Sequence, residues 1–546
     1  MAMGLPYTPA HAQVPPGRIL PPLPPPLPER ELLPRERVFV REFRIIGNTV
    51  LSLEELAAVT APYTNRELTA EDLEALRVAL TLLYVNKGYV NSGAILPDQT
   101  VVQGVITYQI IEGNVTTIEV TGNRWFRTGY LQKRIALGTG PPLNVNDLQQ
   151  RIQLLLEDPR IRRLNAELKP GLKPGESVLD VRVEDRIPFR VAVTFDNYQS
   201  PAVGAEEVIG TLEDVNLTGN GDVLSLSFGG SSGLFPILDF KYTLPFTVYD
   251  TTLILEYRNN ASVVIRPIFA ALNIESTSDI YTIGLRQPVY RTLNTEIALE
   301  LLGERLSQKT TLLDEPFDLI PGSKDGEIVD SAIRFVQEFV YRTQDYVLAA
   351  RSRVSAGVAT LDATTNPRGI PDSRFWAWLG QFQWVQRLPI QDTYFIFRTD
   401  YQVTSEPVPA LEQFSLGGRY TIRGYEQGAV LSDNALVVSL EGRVPLIRNS
   451  PWADYLELAP FVDYGWVWGL PTAPGSQFPS SQSLLGVGVG LRWGLTIPWT
   501  VPVRGQFEFY WGYPLIDLKT PGGTSQEGWN LQQDGIYMQF ILSTAF

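Results

Sequence analysis

Val503-Arg504-Gly505-Gln506-Phe507-Glu508-Phe509-Tyr510-Trp511 carries two sequences in one. Val503, Phe507, Phe509 and Trp511 share one parity, and Arg504, Gln506, Glu508 and Tyr510 share the other. Period-two alternation places such sets on opposite faces of a β-strand. The same reading holds at Tyr394–Tyr401, where Phe395, Phe397, Thr399 and Tyr401 oppose Tyr394, Ile396, Arg398 and Asp400. Leu436, Val438, Leu440 and Val444 oppose Val437, Ser439, Glu441 and Arg443. At the end of the chain Met538, Phe540, Leu542, Thr544 and Phe546 oppose Tyr537, Gln539, Ser543 and Ala545.

A soluble sandwich would also alternate, but three features separate this chain from one. The apolar parity is rich in large aromatics. The other parity carries charges, as a wet lumen requires. The pattern continues from about residue 190 to the C-terminus. Stretches of about ten alternating residues with aromatic ends are the trace of a transmembrane barrel. In lipid each backbone group must be satisfied, so the sheet must close. Sixteen strands are expected, near 189–198, 205–215, 222–230, 236–244, 251–260, 279–287, 293–305, 329–343, 345–357, 373–387, 391–403, 433–444, 457–468, 483–494, 502–511 and 536–546. The count is even, as in single-chain bacterial barrels, and large enough for an aqueous lumen. The pattern is faintest between Ala261 and Asp279.

Composition narrows the function. The 546 residues include no Cys, which removes disulfides and thiolate chemistry, and one His (His11), which removes His-based triads and metal clusters. A net charge of −14 argues against nucleic acid as a partner. No constellation of base, nucleophile and orienting group can be assembled, so no enzyme and no cofactor is expected.

Ahead of the barrel the chain changes character. Residues 1–36 hold 11 of the 41 prolines and read as an extended leader or linker. Ala10-His11-Ala12 before Gln13 looks like a signal-peptidase site, but the stretch ahead of it is short and has no basic start, so it reads either as the remnant of a truncated export signal or as a chance match. Residues 37–113 and 114–187 read as two copies of one α+β domain. Phe43-Arg44-Ile45-Ile46-Gly47-Asn48 and Ile118-Glu119-Val120-Thr121-Gly122-Asn123 align at a spacing of 75 residues, as do Leu68–Leu73 and Leu143–Leu148. Each copy reads strand, Gly-Asn turn, short helix, longer helix, strand, strand. Thr69 is the expected N-cap of the first longer helix, with Asp72 at the capping-box position. Leu73, Leu76, Leu80 and Leu83 form its core stripe.

Two such domains before a barrel resemble POTRA domains in a two-partner secretion outer-membrane transporter of the hemolysin and filamentous-adhesin type. Leu416-Gly417-Gly418-Arg419-Tyr420-Thr421-Ile422-Arg423-Gly424-Tyr425 resembles the family's lumen-loop motif, here Ile422, Arg423, Gly424 and Tyr425, in a loop around 404–432. Phe461-Val462-Asp463-Tyr464-Gly465 resembles its wall motif, and Phe546 its terminal barrel-assembly signal. Leu212–Asp222 resembles the family's first hairpin. The resemblance spans about residues 38–546.

The residues themselves support a partnership. Val462, Tyr464, Trp466 and Trp468 form the bulky, lipid-facing parity, which sends Asp463 into the lumen with Phe461 and Gly465. A carboxylate there invites a cation, and Arg423 beside the flexible Gly424 can supply a bidentate one. An ordinary turn with a hydrated Asp463 is the alternative that the residues alone leave open.

Three other motifs are set aside. Gly229–Gly233 fits G-x-S-x-G, but no His follows it and a hairpin turn uses the same residues. Gly486, Gly488 and Gly490 lie on one parity of a strand and read as close packing. Glu315, Asp318, Asp325, Glu327 and Asp330 miss the calcium-loop spacing, so a solvated acidic loop is expected and no metal.

The resemblance then implies an outer-membrane translocator. Its POTRA domains would lie in the periplasm and bind an unfolded secreted exoprotein by strand addition, with free edges expected near Gly93–Leu96 and Val178–Val183. The exoprotein would cross the lumen once the Arg423 loop rearranges. Lipid and the barrel-assembly machinery would be the other partners. The alternative is a barrel assembly factor of the same superfamily; a passive porin would not need the duplicated domain.

Overall fold

The protein is described here by a computed structural model covering residues 37–470, 481–518 and 530–545. The proline-rich leader, the cleavage-like site and Phe546 lie outside these residues. The rest forms two compact bodies, residues 37–85 with 92–111, and residues 86–91 with 112–545.

The first body begins with β1 (Val38–Val40) and β2 (Glu42–Ile46), followed by α1 (Leu53–Thr60), β3 (Arg66–Leu68), α2 (Ala70–Asn86), β4 (Gly93–Ile95) and β5 (Val105–Ile111). β1 pairs with β3. The main sheet has the order β2-β5-β4, with β2 parallel to β5. α2 starts where Thr69 and Asp72 cap each other. The Asp72 amide donates to Thr69 Oγ1 at 3.2 Å and the Thr69 amide donates to Asp72 Oδ2 at 2.9 Å. Leu76, Leu80 and Tyr84 are fully buried, while Leu73 and Leu83 are half-buried. Tyr84 donates its hydroxyl to Asn48 Oδ1 at 2.5 Å, which ties the helix to the Gly-Asn turn.

That turn explains the repeat. Gly47 has φ +82°, and a Cβ there would stand 2.4 Å from the Ile110 carbonyl oxygen. Gly122 has φ +84°, and its Cβ would stand 2.7 Å from the Val183 oxygen. Both copies therefore require Gly at this point, and Asn at the next closes the turn through its side-chain amide, Asn48 to Leu51 and Asn123 to Phe126.

The second copy comprises β6 (Asn114–Thr121), α3 (Thr128–Ala136), α4 (Val145–Leu156), β7 (Ile161–Pro170) and β8 (Glu176–Asp185). Its sheet order is β6-β8-β7. One expectation fails here. Val178–Val183 belong to the central strand β8, not to an edge; the free edges are β6 and β7. The β7–β8 hairpin lays β8 against β6, and Leu179, Val181 and Val183 bury one whole face of it. In the first copy β4 is an edge, as expected.

The barrel follows. Its strands begin with β9 (Phe189–Asp196), β10 (Glu207–Asp214), β11 (Val223–Ser231), β12 (Leu234–Pro245), β13 (Thr252–Val263), β14 (Ile274–Arg291) and β15 (Thr295–Leu312). After the two-residue spur β16 (Glu315–Pro316) come β17 (Glu327–Arg342), β18 (Tyr346–Gly357), β19 (Trp376–Arg387) and β20 (Tyr394–Thr404). β21 (Phe414–Leu416) and β22 (Val430–Ser432) form a small hairpin of their own. β23 (Asn434–Ser450), β24 (Ala453–Trp468), β25 (Ser481–Ile497), β26 (Val503–Pro514) and β27 (Ile536–Ala545) complete the wall. Leaving aside β16, β21 and β22, these are sixteen antiparallel strands, each where the alternation places one. β27 pairs with β9, from Gln539↔Asp196 to Ala545↔Arg190, and closes the sheet. The faint stretch after Ala261 is the end of β13, a short helical turn at Pro267–Ala270, and the first turns of β14. Outward residues such as Phe228, Ile283, Ile333, Trp466 and Trp511 stay exposed, as a lipid-facing band must. No helix among the described residues is long and apolar enough to cross a membrane.

Gly229, Gly230 and Ser231 end β11 and Gly233 turns into β12, so the G-x-S-x-G match is strand to strand and lacks the following helix an elbow needs. In the acidic loop, Asp318 accepts the Gly326 amide at 2.7 Å.

Candidate functional site

The chain between β20 and β23 folds back into the lumen. β21 and β22 form its stem, and residues 417–429 form its tip. Gly417, Gly418 and Gly424 all sit at φ +103°, where a side chain is strained. Thr421 ties the first turn by accepting the Gly417 amide at 2.9 Å and donating to the Gly417 carbonyl at 3.0 Å.

Arg423 lies at the centre and is only 3% exposed; Asp463, on the lumen face of β24, is 0% exposed. Arg423 Nε donates to Asp463 Oδ2 at 2.7 Å and Nη2 donates to Oδ1 at 2.9 Å, a bidentate pair. The Arg423 amide adds a third bond to Asp463 Oδ2 at 3.1 Å. Nη1 donates to Glu441 Oε2 on β23 at 2.5 Å. Ser439 donates to Asp463 Oδ1 at 2.7 Å. The guanidinium carbon lies 3.5 Å from the centroid of the Phe461 ring, a close cation–π contact. Each polar edge of the guanidinium thus has a carboxylate, and its face has an aromatic ring. A buried charge tolerates no less.

The flanking residues seat the backbone. Ile422 is fully buried among Leu416, Val437, Val467 and Leu484. Gly424 donates its amide to Tyr537 Oη at 2.9 Å, and Tyr537 donates onward to the Tyr425 carbonyl at 2.5 Å. Tyr425 donates its hydroxyl to the Ile516 carbonyl at 2.7 Å. The wall beneath is stripped of side chains. A Cβ on Gly486 would stand 1.9 Å from the Arg423 carbonyl oxygen, and one on Gly512 would stand 2.6 Å from the Gly424 nitrogen. Gly465 would meet Leu416 at 2.7 Å. Gly488 and Gly490 serve Phe461 and Tyr510, whose rings fill the space their side chains would take. The run Gly486, Gly488, Gly490 is therefore close packing, and Gly486 packs against the loop itself.

Sequence reasoning named Arg423 and Asp463 but missed the second carboxylate, Glu441, and three further tethers. Arg419 donates to Glu508 at 2.9 Å and lies 3.8 Å from the Tyr510 centroid. Glu426 accepts from Arg266 at 2.6 Å. Glu412, at the base of the loop, pairs with Arg334 on β17, which also donates to Glu304 at 2.7 Å. Glu441, Glu508 and Tyr537 all carry the signal of charged or polar lumen parity, and Ser439↔Asp463 and Glu441↔Phe461 are cross-strand neighbours. Arg334 and Glu412 carry no motif. Among the described residues no group of three or more His, Cys, Asp or Glu stands close enough to hold a metal ion.

With this geometry in hand, comparison with known proteins is informative. Residues 175–493 match the family of haemolysin secretion/activation proteins ShlB/FhaC/HecB, and residues 38–113 match the ShlB-type POTRA domain. The outer membrane transporter CdiB of Dickeya dadantii (strain 3937) is 25% identical over 411 residues, 71% of this chain and 69% of that protein. The hemolysin transporter protein ShlB of Serratia marcescens is 24% identical over 415 residues, 71% of this chain and 69% of that protein. Among solved structures, CdiB from Escherichia coli aligns with a TM-score of 0.67 at 21% identity, over 95% of this chain and 93% of that one. BamA from Haemophilus ducreyi lacking POTRA domains 1–3 aligns with a TM-score of 0.53 at 14% identity, over 93% and 100%.

Proposed function

This chain belongs to the haemolysin secretion/activation family of two-partner outer-membrane transporters, its barrel in the outer membrane and its POTRA domains in the periplasm, and from that premise we propose that it exports one dedicated, unfolded exoprotein through its lumen under control of the Arg423 loop. The buried Arg423–Asp463–Glu441 cluster carries the reading. Three charges held out of water give the loop one defined seat, which is what a translocator whose loop moves between a seat and an alternative position requires.

In this reading the exoprotein docks first on the POTRA domains. An extended segment adds a strand to β4 or to β7, which occupies the corresponding edge in the second copy; backbone bonds supply affinity with modest sequence demand. The chain then enters the lumen as the loop leaves its seat, and the loop returns afterwards. Arg423, Gly424 and Tyr425 form the latch, Asp463 and Glu441 its catch, and Phe461 and Gly465 the surface on which it rests. Phe546 serves recognition by the barrel-assembly machinery.

The test is deletion of the gene with quantitative proteomics of medium and outer membrane. Loss of one or a few large proteins from the medium, with other barrels intact, is the expected result. General depletion of outer-membrane barrels would instead point to an assembly factor.

A further inference from the structure

On the lipid-facing side of the wall a groove of about 530 Å³ crosses β13, β14, β15 and β17. Two neighbouring rows of outward residues build it. Tyr257, Tyr281, Arg305 and Ser331 stand in register across the four strands. One row nearer the periplasm, Ile283, Gly303 and Ile333 stand in register. Gly303 makes the dent: the nearest atom to a Cβ there would be Ile283 Cγ2 at 3.8 Å. Tyr257 and Tyr281 form one wall, their ring centroids 4.9 Å apart.

The loop after β18 leans over this groove. The Val358 amide donates to the Ser331 carbonyl at 2.8 Å, and Arg305 Nε donates to the Leu361 carbonyl at 3.1 Å. Leu361 sits at φ +56°, a conformation that leucine seldom adopts. One hydroxyl and the two terminal nitrogens of an arginine have no hydrogen-bond partner among the described residues. Ser331 is 2% exposed, and its Oγ has no hydrogen-bond partner among the described residues. The terminal nitrogens of Arg305 likewise make no hydrogen bond there, its Nε–Leu361 bond being the one it has.

Position suggests what they face. Arg305 stands ten residues beyond Thr295, where β15 leaves the periplasmic turn. At a strand rise of about 3.4 Å and a tilt of about 45°, that is about 24 Å, the outer boundary of a lipid-facing band about 25 Å tall. An arginine on the lipid face is least costly at that level.

We propose that this groove binds a phosphorylated glycolipid of the outer leaflet, with an acyl chain over Gly303 and a phosphate on Arg305 and Ser331. The planar guanidinium can present two parallel donors to a phosphate, and the orphaned hydroxyl supplies a third. The apolar dent between Ile283 and Ile333 accepts hydrocarbon and offers nothing to a soluble anion.

Native mass spectrometry of the purified full chain tests this with three probes: diphosphorylated lipid A, phosphatidylethanolamine and inorganic phosphate. One lipid A should be retained per chain in preference to phosphatidylethanolamine, and inorganic phosphate should not displace it. Arg305→Gln should lower the bound fraction by about tenfold, the weight of a charged hydrogen bond. Gly303→Leu, which fills the dent without touching charge, should lower it as much, with the folded barrel's gel migration unchanged. Should Arg305→Gln fail to fold, Gly303→Leu decides alone. Lipid A retention that survives Gly303→Leu, equal retention of phosphatidylethanolamine, or displacement by inorganic phosphate would each overturn the proposal.

Discussion

Replacing Arg423 by Ala removes one cation from two buried carboxylates. Asp463 is 0% exposed and Glu441 is 7% exposed, so neither gains water while the loop stays seated. Glu441 keeps Arg443 at 2.9 Å, whereas Asp463 keeps only two uncharged donors, Ser439 at 2.7 Å and the residue-423 amide at 3.1 Å. Breaking a buried pair by deleting one partner costs about 3–5 kcal/mol. The seated loop bears that cost, because an unseated loop opens both carboxylates to the wet lumen. At about 1.4 kcal/mol per tenfold, the seated population should fall by about two to three and a half orders of magnitude relative to the unseated one. The remaining tethers, Arg419–Glu508, Glu426–Arg266 and Glu412–Arg334, keep the loop inside the barrel but without a fixed place. Hydrogen exchange is the direct assay. The Gly424 amide, bonded to Tyr537 at 2.9 Å, should exchange about 100-fold faster or more in the variant. Secretion should be crippled with barrel abundance nearly normal, since the wall's own pairing is untouched. Exchange within about threefold of the parent would refute the energetic argument. Unimpaired secretion alongside fast exchange would refute the functional one.

Asp463→Ala should give a related secretion defect, and combining it with Arg423→Ala should do less than the two losses added, the non-additivity of residues in contact. Gly486→Ala places a methyl 1.9 Å from where the Arg423 carbonyl rests, so it should unseat the loop with all charges in place, read as the same fast exchange at Gly424. Thr69→Ala should cost about 1 kcal/mol by removing the cap of α2, visible as faster exchange in its first turn with secretion unchanged. Leu76→Ala, at a fully buried position in the same helix, should cost about 2–5 kcal/mol and expose the first POTRA domain to protease in the intact chain.

Strand number and facing were legible because a barrel's two solvents print directly on residue parity. Val503–Trp511 shows it: Glu508 and Tyr510 face the lumen and Phe509 and Trp511 face outward without exception. Parity says nothing about which strand is whose neighbour. That is why β8, with strong alternation, read as a candidate edge although it is the middle of its sheet. Within the loop, Arg423 was legible through its neighbours in sequence. Glu441 was visible only as one lumen charge among several, since its approach to 2.5 Å from the guanidinium depends on how a 29-residue loop packs across the barrel. Arg334 and Glu412 lie 78 residues apart and share no local pattern, so their contact had no trace to read. The glycine seat was half legible: Gly486 announced a close approach but not what approaches.

The seam of the barrel has one more consequence. Tyr537, which holds both Gly424 and Tyr425, belongs to β27, the last strand, and β27 pairs with β9, the first. Gln532, just before β27, donates to the carbonyls of Asn197 and Gln199 and accepts the Gln427 amide at 2.7 Å. The two ends of the barrel and the loop tip therefore meet at one junction. A barrel whose ends have not joined lacks a finished socket, so the latch cannot set until assembly is complete. Under the latch role proposed above, an immature barrel would lack the seat that a finished one offers the loop, and joining the ends would double as an inspection step.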